Sequence, residues 1–199
     1  MMKQIRLVSK KDLLDWLGYE KANYQAHGNI TLLFPIAERD ILYKHNYILR
    51  HAEYHTNNNH KIRSFLWRIF LLRYQNKYAI HIPINTCGKG LKIMHVGPVL
   101  INGNAYIGSD CSFHINTALV AGGNNDNVPE IGNEIIMGIG SVVVGGVKLA
   151  NKIAVGANSV VTKSFTEEDI TIAGIPAKKI SDSGSTEWKT IRNKEILNG

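Results

Sequence analysis

Residues 101–119 read INGNAYIGSDCSFHINTAL, and an apolar side chain returns at every sixth position of this stretch. The register starts at Ile101 and continues with Ile107, Phe113 and Leu119. Followed as far as Val161, ten of its eleven positions are apolar, and Asn125 is the exception. Only 44% of the whole chain is hydrophobic, so chance rarely produces such a register and it indicates a six-residue repeat.

A second register lies four residues after each apolar position and holds mostly small side chains: Ala105, Cys111, Thr117, Gly123, Ser141, Val147 and Ser159. Glycine and asparagine, which accept the dihedral angles of tight corners, are frequent between the two registers. We interpret each hexad as a short strand and a corner, stacked into a solenoid with a narrow core. An antiparallel sheet remains the alternative, although side chains there alternate every two residues and a six-residue repeat is not required.

The distribution of glycine divides the chain into three parts. Only two of the 18 glycines lie in residues 1–80, which predicts an N-terminal helical region. Residues 81–180 are predicted to form the β-rich domain, and residues 181–199 a polar tail with a short helix around 188–197. In the helical region, Ser9 is expected to cap a first helix, and further helices are expected over 35–53 and 61–78. A loop is expected over 54–59.

Length, charge and cysteine content exclude several classes of protein. A chain of 199 residues fits one domain with an appendage, and no apolar run reaches the roughly 18 residues of a membrane span. No leader peptide is recognised and the two cysteines form no CxxC pair, so we expect a cytoplasmic protein without a metal site. The net charge of +7 lies entirely in residues 1–80, and no nucleic-acid-binding motif accompanies it.

Four segments carry a family resemblance. Residues 155–163, VGANSVVTK, and 172–180, IAGIPAKKI, resemble the end of the hexapeptide-repeat acyltransferases. Residues 88–95, GKGLKIMH, and 128–131, VPEI, resemble the serine acetyltransferase branch, whose β-helix is shared by polysaccharide O-acetyltransferases. The resemblance covers residues 83–180. It implies a mainly β fold, a left-handed parallel β-helix with an N-terminal α-helical region, and a homotrimer that binds acetyl-CoA between neighbouring β-helices.

The same resemblance assigns chemistry to His95. Transfer of acetyl from a thioester to a hydroxyl needs a base, and a neutral imidazole is the usual base near pH 7. His95 is expected to take the proton of an acceptor hydroxyl that attacks acetyl-CoA directly. Ile80 stands where the family carries the Asp that orients this imidazole, so a backbone carbonyl is the expected substitute. His81 is a weaker candidate, and His114 is expected to be a solvent-facing strand residue.

The acceptor site departs from the serine acetyltransferase pattern. Met94 replaces an Asp, Val128 replaces a His, and Asn127 replaces the Arg that would grip an amino-acid carboxylate. A site without these charges suits a neutral acceptor better than free serine. We therefore expect a sugar hydroxyl of polysaccharide biosynthesis, bound by Asn127 with Asn124 and Asn125 in the interrupting segment 121–127. The alternatives are a serine acetyltransferase with an altered site and a non-catalytic β-helix scaffold.

Contacts to acetyl-CoA carry over by position. Ile139 and Ala157 stand where the pantetheine arm passes, and Gly138, Gly140 and Gly156 leave room beside them. Thr162 and Lys163 stand near the expected phosphates. Pro176 and Lys178 belong to the segment expected to pack near the adenine.

Residues 61–74, KIRSFLWRIFLLRY, alternate basic and apolar side chains. This pattern is typical of two situations, a helix packed on other subunits with arginine at the rim, and an amphipathic helix on an anionic membrane. From the sequence we favour subunit packing, and peripheral membrane contact stays open as the alternative.

Overall fold

The computed structural model describes residues 6–26, 29–123 and 126–187. The N-terminal part is helical and consists of α1 (Lys10–Tyr24), a 3-10 turn (Asn29–Leu32), α2 (Glu38–Asn57) and α3 (Lys61–Tyr78). The predicted cap of α1 is confirmed, because the Ser9 hydroxyl accepts a hydrogen bond of 2.9 Å from the backbone N–H of Asp12. The tail helix expected around residues 188–197 lies outside the described residues.

The predicted loop over residues 54–59 is wrong in its first part. Helix α2 continues to Asn57, and the chain turns only at Asn58 and Asn59. His55 is buried in this last turn, so its packing outweighs the weak helix propensity of the Thr and Asn residues beside it. The side chain of Asn58 then closes the turn with a hydrogen bond of 2.8 Å to the carbonyl of Tyr54.

Fourteen short strands follow within the described residues. They are β1 (Ile80–His81), β2 (Lys92–Ile93), β3 (Val99–Ile101), β4 (Tyr106–Ile107), β5 (Ser112–Phe113), β6 (Thr117–Val120), β7 (Glu130–Ile131), β8 (Ile136–Met137), β9 (Val142–Val144), β10 (Lys148–Leu149), β11 (Ala154–Val155), β12 (Val160–Val161), β13 (Thr171–Gly174) and β14 (Ala177–Ser181). Successive strands belong to three different sheets, with orders β1-β3-β6-β9-β12, β4-β7-β10 and β2-β5-β8-β11-β13-β14. All pairings are parallel except β13 with β14. The chain therefore winds as a three-sided parallel β-helix.

The six-residue register forms the core of this β-helix. Its ten described positions are all buried, from Ile101 at 3% exposure to Val161 at 0%. Asn125, the polar position, lies outside the described residues. The small side chains of the second register are also buried, apart from Gly123 at the surface. Corners are taken by residues with left-handed backbone, among them Asp110, Asn116 and Asn158. Both predicted registers are thus confirmed.

One coil is a hexad longer than its successor. Ile107 pairs with Ile131, whereas Ile131 pairs with Leu149. The extra residues leave the β-helix between β6 and β7, where the sequence predicted an interruption at 121–127. The described ends of this segment, Gly122 and Asn127, are exposed.

The helices cover the first coil of the β-helix through a buried ionic cluster. Arg50 of α2 is fully buried and donates to Glu20 of α1 at 2.7 Å and to Glu53 at 2.9 Å. It also donates to the carbonyls of Cys87 and Gly88, at 3.0 and 2.7 Å. Because this guanidinium is bonded to both helices and to the first coil, it fixes how the helical region sits on the β-helix.

Candidate active site

The candidate residues lie along the edges of the three-sided helix. The corners that lead from the β2-β5-β8-β11 sheet into the β3-β6-β9-β12 sheet form one edge, which we call the His95 edge. Its corners are residues 94–98, 114–116, 138–141 and 156–159. The corners that follow β3, β6, β9 and β12 form a second edge, which we call the Asn127 edge. Its corners are residues 102–105, 121–129, 145–147 and 162–164.

His95 projects from its edge because its corner has two extra residues. The core residues Ile93 and Ile101 bracket this corner, and their paired residues one coil further are Phe113 and Leu119. Seven residues separate the first pair, against five in the second. The longer corner departs from the six-residue register, which would otherwise direct position 95 inward. The His95 side chain is therefore 58% exposed.

The Glu38 carboxylate holds this corner. Its Oε1 accepts a hydrogen bond of 2.8 Å from the backbone N–H of Val96, and its Oε2 lies 3.3 Å from Nδ1 of His95. Glu38 is the first residue of α2, where the positive end of the helix dipole favours a negative charge. The hydrogen bond from Val96, followed by the one from His95, lowers the pKa of Glu38 below its usual value. The carboxylate is therefore ionised at neutral pH.

An ionised carboxylate fixes the tautomer of the imidazole. It only accepts hydrogen bonds, so Nδ1 of His95 must carry the proton that faces Glu38. The Nε2 lone pair then points away from Glu38 and is available to accept a proton. This pair has the arrangement of a general base and its orienting residue.

The expected backbone carbonyl partner of His95 is wrong, since the group that contacts Nδ1 is the Glu38 carboxylate. Ile80, at the family's Asp position, is completely buried in the core and could not place a charge at the edge. Sequence reasoning missed Glu38 because 57 residues separate it from His95. The only local signal was an acidic residue in the first turn of a predicted helix, a position that helices favour for their own stability.

Two further histidines lie near the site by sequence or by structure. His81 follows the buried Ile80 on β1, and its half-buried side chain lies on the opposite, outer face of this strand, as predicted. His114 stands one coil beyond Met94 on the His95 edge, and its ring centroid is 6.2 Å from that of His95. His114 is half-buried rather than fully solvent-facing, so two imidazoles share this part of the edge.

Three predicted CoA contacts share the His95 edge. Ile139 and Ala157 are exposed there, two and three coils beyond His95. Gly138 is buried, and a Cβ atom on it would lie 2.6 Å from the carbonyl oxygen of Val155 in the next coil. The glycine at this position is therefore required for the stacking of coils, while Ile139 and Ala157 form the surface along which a ligand could lie.

The remaining predicted site residues lie on two different edges. Pro176 sits in the turn between β13 and β14, at the end of the His95 edge, and Lys178 is exposed on β14. Thr162 and Lys163 are exposed on the Asn127 edge, together with Asn127 itself. A whole sheet separates the two edges, so one chain does not bring Asn127 or Lys163 next to His95. Asn124 and Asn125 lie outside the described residues.

Known proteins share this arrangement of helices and coils. The chain is 24% identical over 156 residues to a serine acetyltransferase of Buchnera aphidicola subsp. Acyrthosiphon pisum, a match that covers 72% of this chain and 57% of that protein. The crystal structure of a serine acetyltransferase from Brucella abortus superposes with a TM-score of 0.65 at 19% identity, over 88% of this chain and 74% of that one. The chain has the left-handed β-helix fold of the hexapeptide-repeat acyltransferases.

The serine acetyltransferase-like fold includes the helical region as well as the coils, since the superposition covers most of the chain. A second Brucella abortus serine acetyltransferase structure, solved in complex with coenzyme A, also superposes with a TM-score of 0.65 at 19% identity, over 88% of this chain and 70% of that one. No protein-family model matches the chain. The left-handed winding and the N-terminal helical region expected from the resemblance are confirmed.

Proposed function

We propose that this protein is an acetyl-CoA-dependent O-acetyltransferase in which His95 is the general base and Glu38 its positioning residue. The observation that carries the proposal is the contact of 3.3 Å between Glu38 and His95 at an exposed edge of the β-helix. The similarity to serine acetyltransferases supports the same chemistry, and the complex with coenzyme A supports acetyl-CoA as the donor.

The reaction would proceed by direct attack. Nε2 of His95 takes the proton of the acceptor hydroxyl while the oxygen attacks the thioester carbonyl. The tetrahedral intermediate then collapses, the carbon–sulfur bond breaks, and the CoA thiolate takes the proton back from the imidazolium. The products are the acetyl ester and CoA thiol. The Glu38 carboxylate stabilises the imidazolium through its contact with Nδ1, as the third member of a catalytic triad does.

The division of the site residues between two edges favours a homotrimer. Asn127, Thr162 and Lys163 cannot reach His95 within one chain. If three β-helices pack side by side, the His95 edge of one subunit faces the Asn127 edge of the next. The acceptor and the CoA phosphates would then bind in the cleft between subunits, and a monomer would lack a complete site.

Serine is the acceptor that the comparisons support best, because the relatives are named serine acetyltransferases. The Glu38 carboxylate, 49% exposed beside His95, also puts a negative charge at this edge. The sequence had indicated no charged group at this site. A neutral sugar is the second candidate, favoured by the uncharged side chains of Met94, Asn127 and Val128.

Release of CoA thiol from acetyl-CoA, measured with L-serine and with a panel of sugars, tests the proposal. We expect His95→Ala to lose at least a hundredfold in kcat, since general base catalysis contributes about 10²–10⁴. Calorimetric binding of CoA should be unchanged. The matched control is His81→Ala, on the outer face of β1.

Each alternative has its own outcome in these assays. Near-normal turnover by His95→Ala would exclude His95 as the base. Failure of the wild-type protein to bind CoA would leave the scaffold interpretation. Turnover with a sugar but not with L-serine would reverse our choice of acceptor.

A further inference from the structure

Helix α3 presents an apolar stripe to solvent. Ile62, Phe65 and Phe70 are 78%, 65% and 52% exposed. Leu66 and Leu72 are exposed on the same outer side, so the stripe runs over most of the helix. Single exposed apolar residues are common, but a continuous stripe of this size marks an interaction surface.

The stripe is additional to the face that α3 packs inward. That inner face buries Leu71 and Gln75, and the Gln75 amide donates a hydrogen bond of 2.6 Å to the carbonyl of Ile82. Trp67, half-buried, stacks on His51 of α2 with ring centroids 4.5 Å apart. The helix is therefore fixed on α2 and on the start of the β-helix, and its outer stripe is left for a partner.

Basic side chains border the stripe. At about 100° per residue, Lys61 and Arg68 lie along one side of it and Arg63 and Lys77 along the other, with Arg73 between them near its C-terminal end. Helix α3 contains no Asp or Glu. Within the described part of the chain, no carboxylate forms an ion pair with any of these five cations. The surface is both apolar and strongly positive.

An open groove lies on each side of α3. The first, of about 750 Å³, runs between α3 and residues Pro83 and Ile84, with Lys61 and Arg68 at its rim. The second, of about 630 Å³, runs between α3, α2 and the turn at Leu33, with Lys44, Arg73 and Lys77 at its rim. Apolar side chains form most of both walls, and neither wall includes a carboxylate among the described residues. Each volume is in the range of sites that hold a small organic molecule.

We propose that α3 docks this protein on an anionic phospholipid membrane. The apolar stripe would enter the boundary between headgroups and acyl chains, as interfacial helices do, while the bordering Lys and Arg side chains reach lipid phosphates. The two grooves would receive parts of acyl chains, with the rim cations close to the headgroups. No described helix is both long enough and apolar enough to cross a bilayer, so the contact would be peripheral.

The turn before α2 extends the same surface. Leu33, Phe34 and Ile36 are 71%, 73% and 78% exposed, and Leu33 also forms part of the second groove. Burial of these side chains in the same interface would add apolar area to the contact, and binding strength rises with that area. Helix and turn together make a contact surface larger than either alone.

Charge argues against pairing of α3 with its counterpart in a second copy of the chain. Pairing α3 with its counterpart in another copy would bring ten cations together without a carboxylate from either helix. Such like-charge contacts are costly and are avoided in specific interfaces. The sequence alone favoured subunit packing, but the arrangement of cations on both sides of an exposed stripe fits an anionic lipid surface better.

Flotation of the full-length protein with vesicles tests the proposal. We expect binding to phosphatidylcholine vesicles that contain 30% phosphatidylglycerol, and at least tenfold weaker binding to pure phosphatidylcholine. Each basic side chain near an anionic surface contributes about a fivefold gain in binding. The variant R68E/R73E should therefore lose at least tenfold, and more salt should weaken wild-type binding.

Two further variants separate charge from apolar contact. The matched control K10E/K11E changes net charge equally on the exposed start of α1, and it should keep most of the binding. F65S/F70S should lose binding without loss of fold, because both side chains are exposed.

Equal binding to neutral and anionic vesicles, or equal loss in K10E/K11E and R68E/R73E, would overturn the proposal. The proposal would also be overturned if the wild-type protein did not bind vesicles and F65S/F70S dissociated its oligomers. That result would assign the stripe to subunit packing. These readouts do not involve acetyl transfer, so they stand or fall separately from the proposed function.

Discussion

Oε2 of Glu38 lies 3.3 Å from Nδ1 of His95, and the two residues come from different parts of the fold. Glu38 begins a helix of the N-terminal region, whereas His95 stands on an enlarged corner of the first coil. His95, the proposed base, and Glu38, its proposed positioning residue, therefore meet only when the helical region is packed on the β-helix. Under the proposed function, catalysis depends on this packing of the helical region as well as on the β-helix itself.

Glu38→Gln should disturb the tautomer of the His95 imidazole without changing the binding of acetyl-CoA. A glutamine can still accept the Val96 N–H, but its amide N–H₂ would then face Nδ1 of His95 and favour a proton on Nε2. The imidazole would be in the wrong tautomer to act as a base, so we expect kcat to fall about 10²-fold or more while KM for acetyl-CoA stays unchanged. Steady-state kinetics measure the two constants separately.

The conservative variant and a control complete this test. Glu38→Asp should recover part of the activity, because it restores an acceptor at a longer distance. Glu167→Gln removes an exposed carboxylate that pairs with Lys179, and it should have no effect on turnover. Full kcat in Glu38→Gln would show that Glu38 does not position His95.

Ala157→Phe and Gly138→Ala should separate ligand binding from folding. Ala157 is exposed on the His95 edge, so phenylalanine there should leave the melting temperature unchanged and weaken CoA binding at least tenfold. At Gly138 the space for a Cβ is filled by the backbone of the next coil, so alanine should cost about 1–3 kcal/mol of unfolding free energy. Calorimetry of CoA binding and thermal unfolding measure the two effects. Tight CoA binding by Ala157→Phe would remove this edge from the proposed cleft.

Arg50→Met should strongly destabilise the protein. It would leave Glu20 and Glu53 buried without their partner, and burial already raises the pKa of Glu53. Removal of one partner from a buried ionic cluster costs about 3–5 kcal/mol. Urea unfolding followed by circular dichroism measures the loss. Replacement of all three residues by apolar ones of similar volume should recover much of the stability, and a loss that persists in that triple variant would contradict this account.

Acidification should destabilise the helical region through two histidines of α2, His45, which is buried, and His51, which is half-buried. Burial lowers the pKa of both His45 and His51 to about 4, from an ordinary value near 6.5. Between these values the unfolded chain binds protons that the folded chain does not, so the free energy of unfolding falls as pH drops from 6.5 to 4. For the fully buried His45 this loss is on the order of 3 kcal/mol.

Urea midpoints measured between pH 7 and pH 4 check this dependence. His51→Phe keeps a ring stacked on Trp67 and should reduce the acid-induced loss. Trp67 fluorescence provides a local readout of the same titration, because its ring lies 4.5 Å from that of His51. Identical pH profiles in the wild type and in His51→Phe would contradict the prediction.

The coils could be predicted from sequence because each hexad uses the same local physics. An apolar residue such as Phe113 must face the narrow core, a small one such as Ser141 must fit beside the corner, and the spacing is fixed by strand geometry. The helix ends were predicted less well, as at Asn57, because packing of His55 outweighs local propensity there. The role of Gly138 was assigned to ligand space, although its neighbour is the backbone of the next coil.

The sequence by itself predicted the six-residue repeat, the division into helical and coiled parts, and His95 as the candidate base. The partner of His95, the separation of Asn127 from it, and the exposure of the α3 stripe came only from the tertiary structure. The physical reason is the range of the interactions. A repeat is set by residues a few positions apart, whereas an ion pair across 57 residues or an uncovered helix face depends on how whole elements pack.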